Sequence, residues 1–218
     1  MDRPAVAIII PAFNEADTIA RVVSDVLPFG QAIVVDDCSS DGTSDLAREA
    51  GAVVVRHAVN QGYDGALNSG FREAAHRGFQ YVVTFDADGQ HHPSLLRTVL
   101  DHLHAGYAMV IGIRERSARF GEAVFACYTR LRFGLPDPLC GLKAYRIDVY
   151  RELGHFDSYG SIGTELMLYA IRTGKRFTTV PVEIAPRHSA PRFAHRWRAN
   201  TKILRALTMH WVRSVSHS

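Results

Sequence analysis

The first half of the chain alternates short apolar segments with stretches of helical spacing. The apolar segments are Ala5–Ile10, Ala32–Val35, Ala52–Val55, Tyr81–Phe85 and Met109–Ile113. In the first intervening stretch, Ile19, Val22, Val23 and Val26 recur three and four positions apart, which places them on one face of a helix. Strands without polar alternation are buried on both faces of their sheet. The pattern therefore predicts an α/β fold, with a mostly parallel central sheet flanked by helices.

The regular cycle ends near Arg114. Beyond it the sequence predicts a helix over residues 121–133, a turn at Asp137–Gly141, a helix over Leu166–Ile171 and a strand over Phe177–Glu183. Pro181 cannot donate a ladder hydrogen bond, so this strand is expected near the sheet edge.

The composition is that of a globular protein, since 47% of the 218 residues are hydrophobic and 22% are charged. No stretch reaches the roughly 18 consecutive apolar residues of a spanning helix, and the N-terminus lacks a signal-peptide pattern. We therefore expect a cytoplasmic protein. Cys38, Cys127 and Cys140 are widely spaced and form no CxxC pair, so we expect reduced thiols.

Two carboxylates, Asp86 and Asp88, follow the fourth apolar segment. Ligands of open α/β sheets bind beyond the carboxyl ends of the strands, so chemistry is expected here. With Gly89 for a tight turn and Gln90 after it, the pair offers oxygen ligands for Mg²⁺ or Mn²⁺, completed by substrate phosphate oxygens. A solvated turn with its corner at Asp88 and Gly89 is the alternative interpretation.

Polar residues also follow the first three apolar segments. Asp36 and Asp37 close the second, and one of them facing inward would accept hydrogen bonds from a uracil or guanine ring. Asn14 either caps the first helix or lines the same crevice. The glycine-containing segment Asn60–Ala66 is expected to form a turn.

Seven stretches together resemble the family 2 glycosyltransferases of the GT-A fold, closest to the polyprenyl-phosphate (dolichyl-phosphate) mannosyl- and glucosyltransferase branch. They are IIIPAFNEADTI, AIVVDDCSSDGTSDLA, NQGYDGALNSGF, VVTFDADGQHHPSLL, IGIRER, DPLCGLKAYR and, more loosely, GTELMLYAIRTGKRFTTVPVEIAPR. Ordered motifs with compatible spacing over most of residues 5–190 are far more specific than any one alone. The GxGxxG of a Rossmann-like dehydrogenase is absent after the first strand.

The resemblance implies a role for each matching residue. The nucleotide-sugar contacts would come from Pro11, Ala12, Phe13, Glu15, Asp37, Gly62, Ala66, Asp86 and Arg187. The metal ligands would be Asp86, Asp88 and Gln90, the acceptor-phosphate contacts Arg114 and Arg130, and the catalytic residues Asp88, Arg114 and Glu165. Asp64 departs from the family, which often has glycine there.

Some of these residues also have plain structural interpretations. Glu165 suits the first turn of a helix beside Thr164, a candidate cap, because the helix dipole favours an acidic residue there. Isolated arginines are usually solvated, and this holds most for Arg130. Three histidines near the motifs, His57, His91 and His92, fit no zinc spacing and are expected to be non-catalytic.

The implied activity is metal-dependent, inverting transfer of a hexose from a nucleoside diphosphate sugar of the GDP-mannose or UDP-glucose type to a polyprenyl phosphate. A phosphate acceptor is already ionised at pH 7, whereas a hydroxyl acceptor needs a general base. A transferase to a hydroxyl acceptor in cell-envelope glycan synthesis remains an alternative. A non-catalytic module that binds nucleotide sugar or lipid phosphate is another.

The tail carries a strong charge asymmetry. Seven cations and no acidic residue follow Glu183, so the tail contributes +7 of a net +3 and the rest of the chain −4. Trp197 and Trp211 lie among apolar residues three or four apart, which predicts a basic amphipathic helix over 191–218, after a catalytic domain over 1–190. Its expected partner is the inner face of the cell membrane, with packing on the domain or on a second subunit of a homodimer as the alternative. No nucleic-acid partner is expected, because no recognised module is present.

Overall fold

A computed structural model describes residues 6–114, 120–183 and 208. One seven-stranded sheet runs in the order β3-β2-β1-β4-β6-β5-β7. The strands are β1 Val6–Ala12, β2 Gln31–Asp36, β3 Val53–Arg56, β4 Tyr81–Thr84, β5 Met109–Arg114, β6 Lys143–Arg146 and β7 Phe177–Val182. All neighbouring pairs are parallel except those made by β6, which runs antiparallel to β4 and β5. The predicted α/β fold is confirmed.

The helices of the described residues cover both faces of this sheet. They are α1 Ala16–Val26, α2 Thr43–Glu49, α3 Gly62–His76, α4 Ser94–His104, α5 Phe120–Phe133, α6 Ile147–Leu153 and α7 Glu165–Arg172. Consecutive residues of β1 point to opposite faces of the sheet. Ile8 packs in the cluster that contains the apolar faces of α1 and α4, and Ile9 packs in the cluster that contains those of α3 and α7. Both side chains are fully buried, as an apolar strand without polar alternation predicts.

Two features differ from the sequence prediction. The strand β6 and the helix α6 are not predicted, because Lys143–Arg146 begins and ends with a cation and has no apolar run. The strand is nevertheless central, with Ala144 and Tyr145 fully buried. The expected turn at Asn60–Ala66 is wrong from Gly62 onward, where α3 already begins. Asp37 accepts the first N–H groups of that helix, which allows a glycine-rich segment to start helical.

The two helices and the strand predicted beyond Arg114 are present. The helices over 121–133 and Leu166–Ile171 are present as α5 and α7, and Pro181 lies in the edge strand β7. No helix in the described part of the chain combines the length and apolarity needed to cross a bilayer. The domain boundary at 190 and the predicted C-terminal helix fall outside the described residues, apart from Thr208.

Strand register places the functional loops side by side. Ala12, the last residue of β1, pairs with Asp36, the last residue of β2, and the N–H of Asp37 donates to the carbonyl of Ala12 at 2.8 Å. On the other side, β4 ends at Thr84, opposite Ile9. The segments after β1, β2 and β4 therefore emerge at one edge of the sheet, where the topology of parallel strands places ligands.

Candidate active site

A cavity of about 360 Å³ opens at this edge, and we call it the first cavity. Its lining contains nine residues that the sequence assigns to the site: Pro11, Ala12, Phe13, Glu15, Asp37, Gly62, Ala66, Asp86 and Asp88. Asn60, Tyr63 and Ala87 complete it. Residues from four separate segments thus meet in one place, although they are up to 77 positions apart in the sequence.

The loops after β1 and β2 are tied to each other by hydrogen bonds. The N–H of Asn14 donates to Ser39 Oγ at 2.8 Å, and Asn14 Oδ1 accepts from the N–H of Ser40 at 2.9 Å. Asn14 has a positive φ of 53°, and the N-cap of α1 is Glu15, with no side-chain cap hydrogen bond. The backbone of Glu15 is fixed in turn by Thr43 Oγ1 at 2.9 Å. Asn14 therefore shapes the rim of the cavity instead of capping the helix.

Asp36, the last residue of β2, and Asp37, which follows it, have different surroundings. Asp36 is fully buried and accepts from the N–H of Ser39 at 2.8 Å and from the Ser44 hydroxyl, so it holds the loop. Asp37 lines the first cavity and accepts from the N–H groups of Gln61 and Gly62, both at 2.7 Å. Asp37 is thus the carboxylate that faces the cavity, as the resemblance implies.

Residues 86–90, which we call the DxD segment after Asp86 and Asp88, form the wall shared with a second cavity, of about 210 Å³. Asp86 lines both cavities, Asp88 lines the first and Gln90 lines the second. Gly89 has a φ of 69°, the left-handed conformation that the predicted tight turn requires. The N–H of Gln90 donates to Asp88 Oδ1 at 3.1 Å, which keeps the turn closed.

The state of Asp86 suits a cation ligand. Burial alone would raise the pKa of its carboxyl, but the hydrogen bond from His91 and the positive charges of His91, Lys143 and Arg114 lower it below its ordinary value. His91 Nε2 lies 3.1 Å from Asp86 Oδ2. Among the described residues no three His, Cys, Asp or Glu side chains gather as a complete metal site. Asp86, Asp88 and Gln90 carry carboxylate and amide oxygens, the donor type that Mg²⁺ and Mn²⁺ prefer.

Gly141 packs directly against Asp86. A Cβ on Gly141 would lie 2.7 Å from Asp86 Oδ1 and closer still to Oδ2, which no real Cβ tolerates. A side chain at this position would therefore push the Asp86 carboxylate out of its observed place. The sequence places Gly141 in a predicted turn. It does not predict β6, whose pairing with β4 brings Gly141 against Asp86.

The second cavity is lined by cationic side chains. Arg114, Lys143 and His91 reach it, together with Tyr63 and Leu139. Lys143 is 3% exposed, and its Nζ donates to the carbonyl of Cys140 at 2.8 Å. Burial lowers the pKa of Lys143, and the nearby negative groups, Asp137 and Asp86 among them, partly oppose that shift. Lys143 is not among the predicted site residues; its only signal in the sequence is its place in the motif stretch DPLCGLKAYR.

Arg114 is held by a carboxylate. Its Nε and Nη2 donate to the two oxygens of Asp137, and Glu122 lies 3.6 Å away. Burial opposes the charge on Arg114, but its hydrogen bonds and ion pair with Asp137 raise its pKa above the ordinary value. The guanidinium is therefore a fixed positive charge at the second cavity.

Two of the predicted residues, Arg130 and Glu165, line neither cavity, and a third is not described. Arg130 is exposed in the last turn of α5. Glu165 begins α7, and its carboxylate accepts from the hydroxyl of Ser158 at 2.9 Å and lies 3.1 Å from His155 Nε2, so it braces the preceding loop. Arg187 lies outside the described residues. His92, one of the histidines singled out, contacts Ser94 at the start of α4.

Comparison with known proteins identifies the family. The family model for Glycosyl transferase family 2 matches residues 7–154. The chain is 30% identical over 202 residues to an undecaprenyl-phosphate mannosyltransferase of Micrococcus luteus, covering 82% of this chain and 83% of that protein. It is 32% identical over 204 residues to a polyprenol monophosphomannose synthase of Mycolicibacterium smegmatis, covering 83% and 77%.

Solved structures show the same fold. Glucosyl-3-phosphoglycerate synthase from Mycobacterium tuberculosis, in complex with Mn²⁺, UDP and phosphoglyceric acid, superposes with a TM-score of 0.73 at 20% identity, covering 93% of this chain and 76% of that chain. Mannosyl-3-phosphoglycerate synthase from Rubrobacter xylanophilus gives 0.73 at 20%, covering 97% and 75%. With the family match and the relatives, the GT-A fold makes this chain an enzyme of glycosyltransferase family 2.

Proposed function

We propose that the enzyme transfers a hexose from a nucleoside diphosphate sugar to the phosphate of a polyprenyl phosphate, with inversion at the anomeric carbon. The observation that carries this proposal is that one carboxylate lines both cavities. Asp86 lines both, so a donor diphosphate in the first cavity and an anionic acceptor in the second would meet at one carboxylate. The relatives named as polyprenyl-phosphate and polyprenol mannosyl transferases support the same acceptor class.

The first cavity suits the nucleotide end of the donor. Asp37 supplies a carboxylate for the base, and Phe13, with 40% of its surface exposed, supplies an apolar face at the rim. Glu15 and Ala12, which also line the cavity, would complete the nucleoside end. The diphosphate would lie toward Asp86 and Asp88, which follow β4, on the other side of β1 from Asp37.

The DxD segment would hold Mg²⁺ or Mn²⁺ through Asp86, Asp88 and Gln90. When bound, such an ion neutralises the charge that accumulates on the departing diphosphate. The lowered pKa of Asp86 supports this assignment, because the ligand oxygen must be ionised. His91 holds that carboxylate from one side and Gly141 allows the chain to approach it from another.

The second cavity suits a phosphate acceptor better than a hydroxyl. Arg114 and Lys143 would hold the phosphate oxygens, since a guanidinium fork and an ammonium both match that anion. One phosphate oxygen would form the new bond to the anomeric carbon while the bond from that carbon to the diphosphate breaks. The diphosphate leaves with the electron pair and no proton is transferred, so a strong general base is not needed.

Attachment to the membrane surface is proposed from the sequence of the tail. Residues 191–218 combine cations with two tryptophans, a composition that binds the interface of anionic bilayers. A polyprenyl phosphate presents its head group at that interface, so the tail would bring the second cavity to the acceptor.

The direct test is a panel of UDP- and GDP-sugars with Mn²⁺ and undecaprenyl phosphate, in which wild type is compared with Asp88→Ala. We expect an organic-extractable glycolipid with one donor class, and loss of at least about two orders of magnitude of activity in the variant. Asp101→Asn, an exposed carboxylate on α4, is the control and should retain activity. Absence of transfer with every donor, while nucleotides still bind, would leave only a binding module.

A further inference from the structure

The segment before α7 holds one residue in an unfavourable backbone conformation. Ile162 has a φ of 57°, in the left-handed region that a β-branched residue rarely adopts. Glycine takes this conformation readily, as Gly160 and Gly163 do nearby, with φ values of 74° and 70°. An isoleucine where a glycine would be unstrained points to a task for its side chain.

Two carboxylates hold this segment in place. Asp157 accepts from the N–H groups at positions 160 and 161, both at 2.7 Å. Asp64, in the first turn of α3, accepts from the N–H of Gly163 at 2.7 Å and from that of Ile162 at 3.3 Å. Four consecutive N–H groups therefore end on carboxylates. Backbone strain persists where the surroundings determine the conformation in this way.

The helix α3 connects this segment to the active site. Besides Asp64 it carries Asn68, whose Oδ1 accepts from the N–H of Asp157 at 3.1 Å and whose Nδ2 donates to the carbonyl of Asp157 at 2.8 Å. It also carries Tyr63, which lines both cavities. The position of Ile162 is therefore fixed relative to the cavities. Glycine, which the family often has at position 64, could not make the contact of Asp64.

Ile162 lines the second cavity beside groups of a different character. Arg114 and Lys143 offer cations for a phosphate, whereas Ile162 and Leu139 are partly buried aliphatic side chains. A small hydrophilic phosphate would satisfy the cations and leave the aliphatic side chains exposed to water. An acceptor with an apolar group next to its phosphate would cover both, and the burial of apolar surface is favourable.

We propose that Ile162 is a specificity-determining residue of the acceptor site, which contacts the first isoprenoid unit beside the phosphate, and that Asp64 is the positioning residue that holds it there. The inference rests on the proposed function, because it names the part of the same acceptor that Ile162 reads. It goes beyond charge recognition, since cations alone do not separate a lipid phosphate from a soluble one.

The first test compares the binding of farnesyl phosphate and glycerol 3-phosphate to the full chain by titration calorimetry. Wild type should bind farnesyl phosphate about tenfold or more tightly. Ile162→Asn keeps a residue that tolerates the left-handed conformation but replaces the aliphatic surface, so it should weaken farnesyl phosphate alone and bring the ratio toward one. A ratio near one in wild type, or the wild-type ratio in the variant, overturns the specificity role. Binding of neither phosphate to folded wild type overturns the acceptor site of the proposed function and the inference with it.

Ile162→Gly separates this role from a structural one. Relief of the backbone strain opposes the loss of packing, so the melting temperature should stay within about 4 °C of wild type. The KM for undecaprenyl phosphate should nevertheless rise about tenfold, while kcat and the donor KM stay near wild type. Cys38→Gly is the matched control, because Cys38 also has a positive φ, of 70°, and lines neither cavity. Its acceptor KM should not change, and an unchanged acceptor KM in Ile162→Gly as well would contradict the proposal.

Asp64→Ala tests the positioning role. It should raise the acceptor KM about fivefold or more, because Ile162 loses its support. Since Asp64 acts through Ile162, the double variant with Ile162→Gly should have an acceptor KM no higher than the larger of the two single variants. Effects that multiply in the double variant would show that Asp64 acts independently of Ile162, and the positioning role would be wrong.

Discussion

Arg114 and Asp137 are joined by two parallel hydrogen bonds, Nε to Oδ2 at 2.8 Å and Nη2 to Oδ1 at 2.9 Å. The backbone N–H of Arg114 donates to the same carboxylate at 3.0 Å. This fork fixes the plane of the guanidinium at the rim of the second cavity. A guanidinium has five N–H donors and the fork uses two, so an anion in the cavity meets a preoriented group.

Replacement of Arg114 by lysine tests this geometry at constant charge. A lysine cannot form the fork, so we expect the KM for polyprenyl phosphate to rise about tenfold or more, with the donor KM nearly unchanged. Arg48→Lys is the matched control, because Arg48 also pairs with an aspartate but is half exposed on α2. Equal acceptor kinetics for Arg114→Lys and wild type would contradict an acceptor role for the fork.

Gly141→Ala tests the contact between the backbone and Asp86. The new Cβ would press on a carboxylate proposed to bind the metal, so we expect Mn²⁺-dependent nucleotide binding to weaken by about tenfold or more, beyond any loss of stability. Titration of the protein with Mn²⁺ and UDP measures the effect.

Gly70→Ala provides the comparison. Its Cβ would press on Ile9 in the core, with Cδ1 and Cγ1 at 3.2 Å and Cγ2 closer, so it should lower the melting temperature more than it lowers affinity. If the two variants lose stability and affinity in the same proportion, the special role of Gly141 is not supported.

The raised pKa of Asp64 should make the stability of the protein depend on pH. Burial and the charge of Asp157 raise the pKa of its carboxyl from 3.8 to about 6, although the N–H groups of Gly163 and Ile162 and the charge of Lys143 oppose the shift. The folded state therefore binds more protons between these two values, so this group favours folding as the pH falls and costs stability above about pH 6.

Asp64→Asn removes that titration. The free energy of unfolding of the variant, relative to wild type, should rise by up to about 2 kcal/mol between pH 4 and pH 8. Urea unfolding at both pH values measures it, and the lost acceptor for Ile162 adds only a constant offset. A difference that does not change with pH would show that the carboxyl is not perturbed.

The tail prediction concerns membrane binding. Deletion after Pro191 removes both tryptophans and six of the seven tail cations, with Arg192 the first cation lost. Flotation of the full chain with anionic vesicles should therefore fall strongly on deletion and also on addition of salt. Flotation that is unchanged by deletion would assign membrane contact to another part of the chain.

Much of the fold follows from local pattern. The segments Ala32–Val35 and Met109–Ile113 are apolar throughout, so strand identity and burial on two faces are readable without tertiary information. The strand β6 cannot be predicted in this way, because its neighbouring residues face different surroundings. Lys143 serves the second cavity, whereas Ala144 packs in the core.

The residues of the candidate site likewise fall into those that local sequence pattern predicts and those that it does not. Residues directly after apolar strands, such as Asp37 and Asp86, are predicted because parallel topology brings strand ends together. Lys143 is not predicted, because its position at the second cavity depends on the register of β6 against β4 and β5. Arg130 shows the reverse case: the resemblance implies an acceptor-phosphate contact for it, but its side chain is exposed on α5.

The proposed acceptor is a phosphate held beside Asp86. The most direct measurement offers undecaprenyl phosphate and undecaprenol in parallel, with the preferred nucleotide sugar and Mn²⁺, and quantifies the lipid-linked sugar. The structure predicts product with the phosphate alone, because the second cavity supplies Arg114 and Lys143 for an anion. Transfer to undecaprenol or to a soluble hydroxyl, with none to the phosphate, would contradict it.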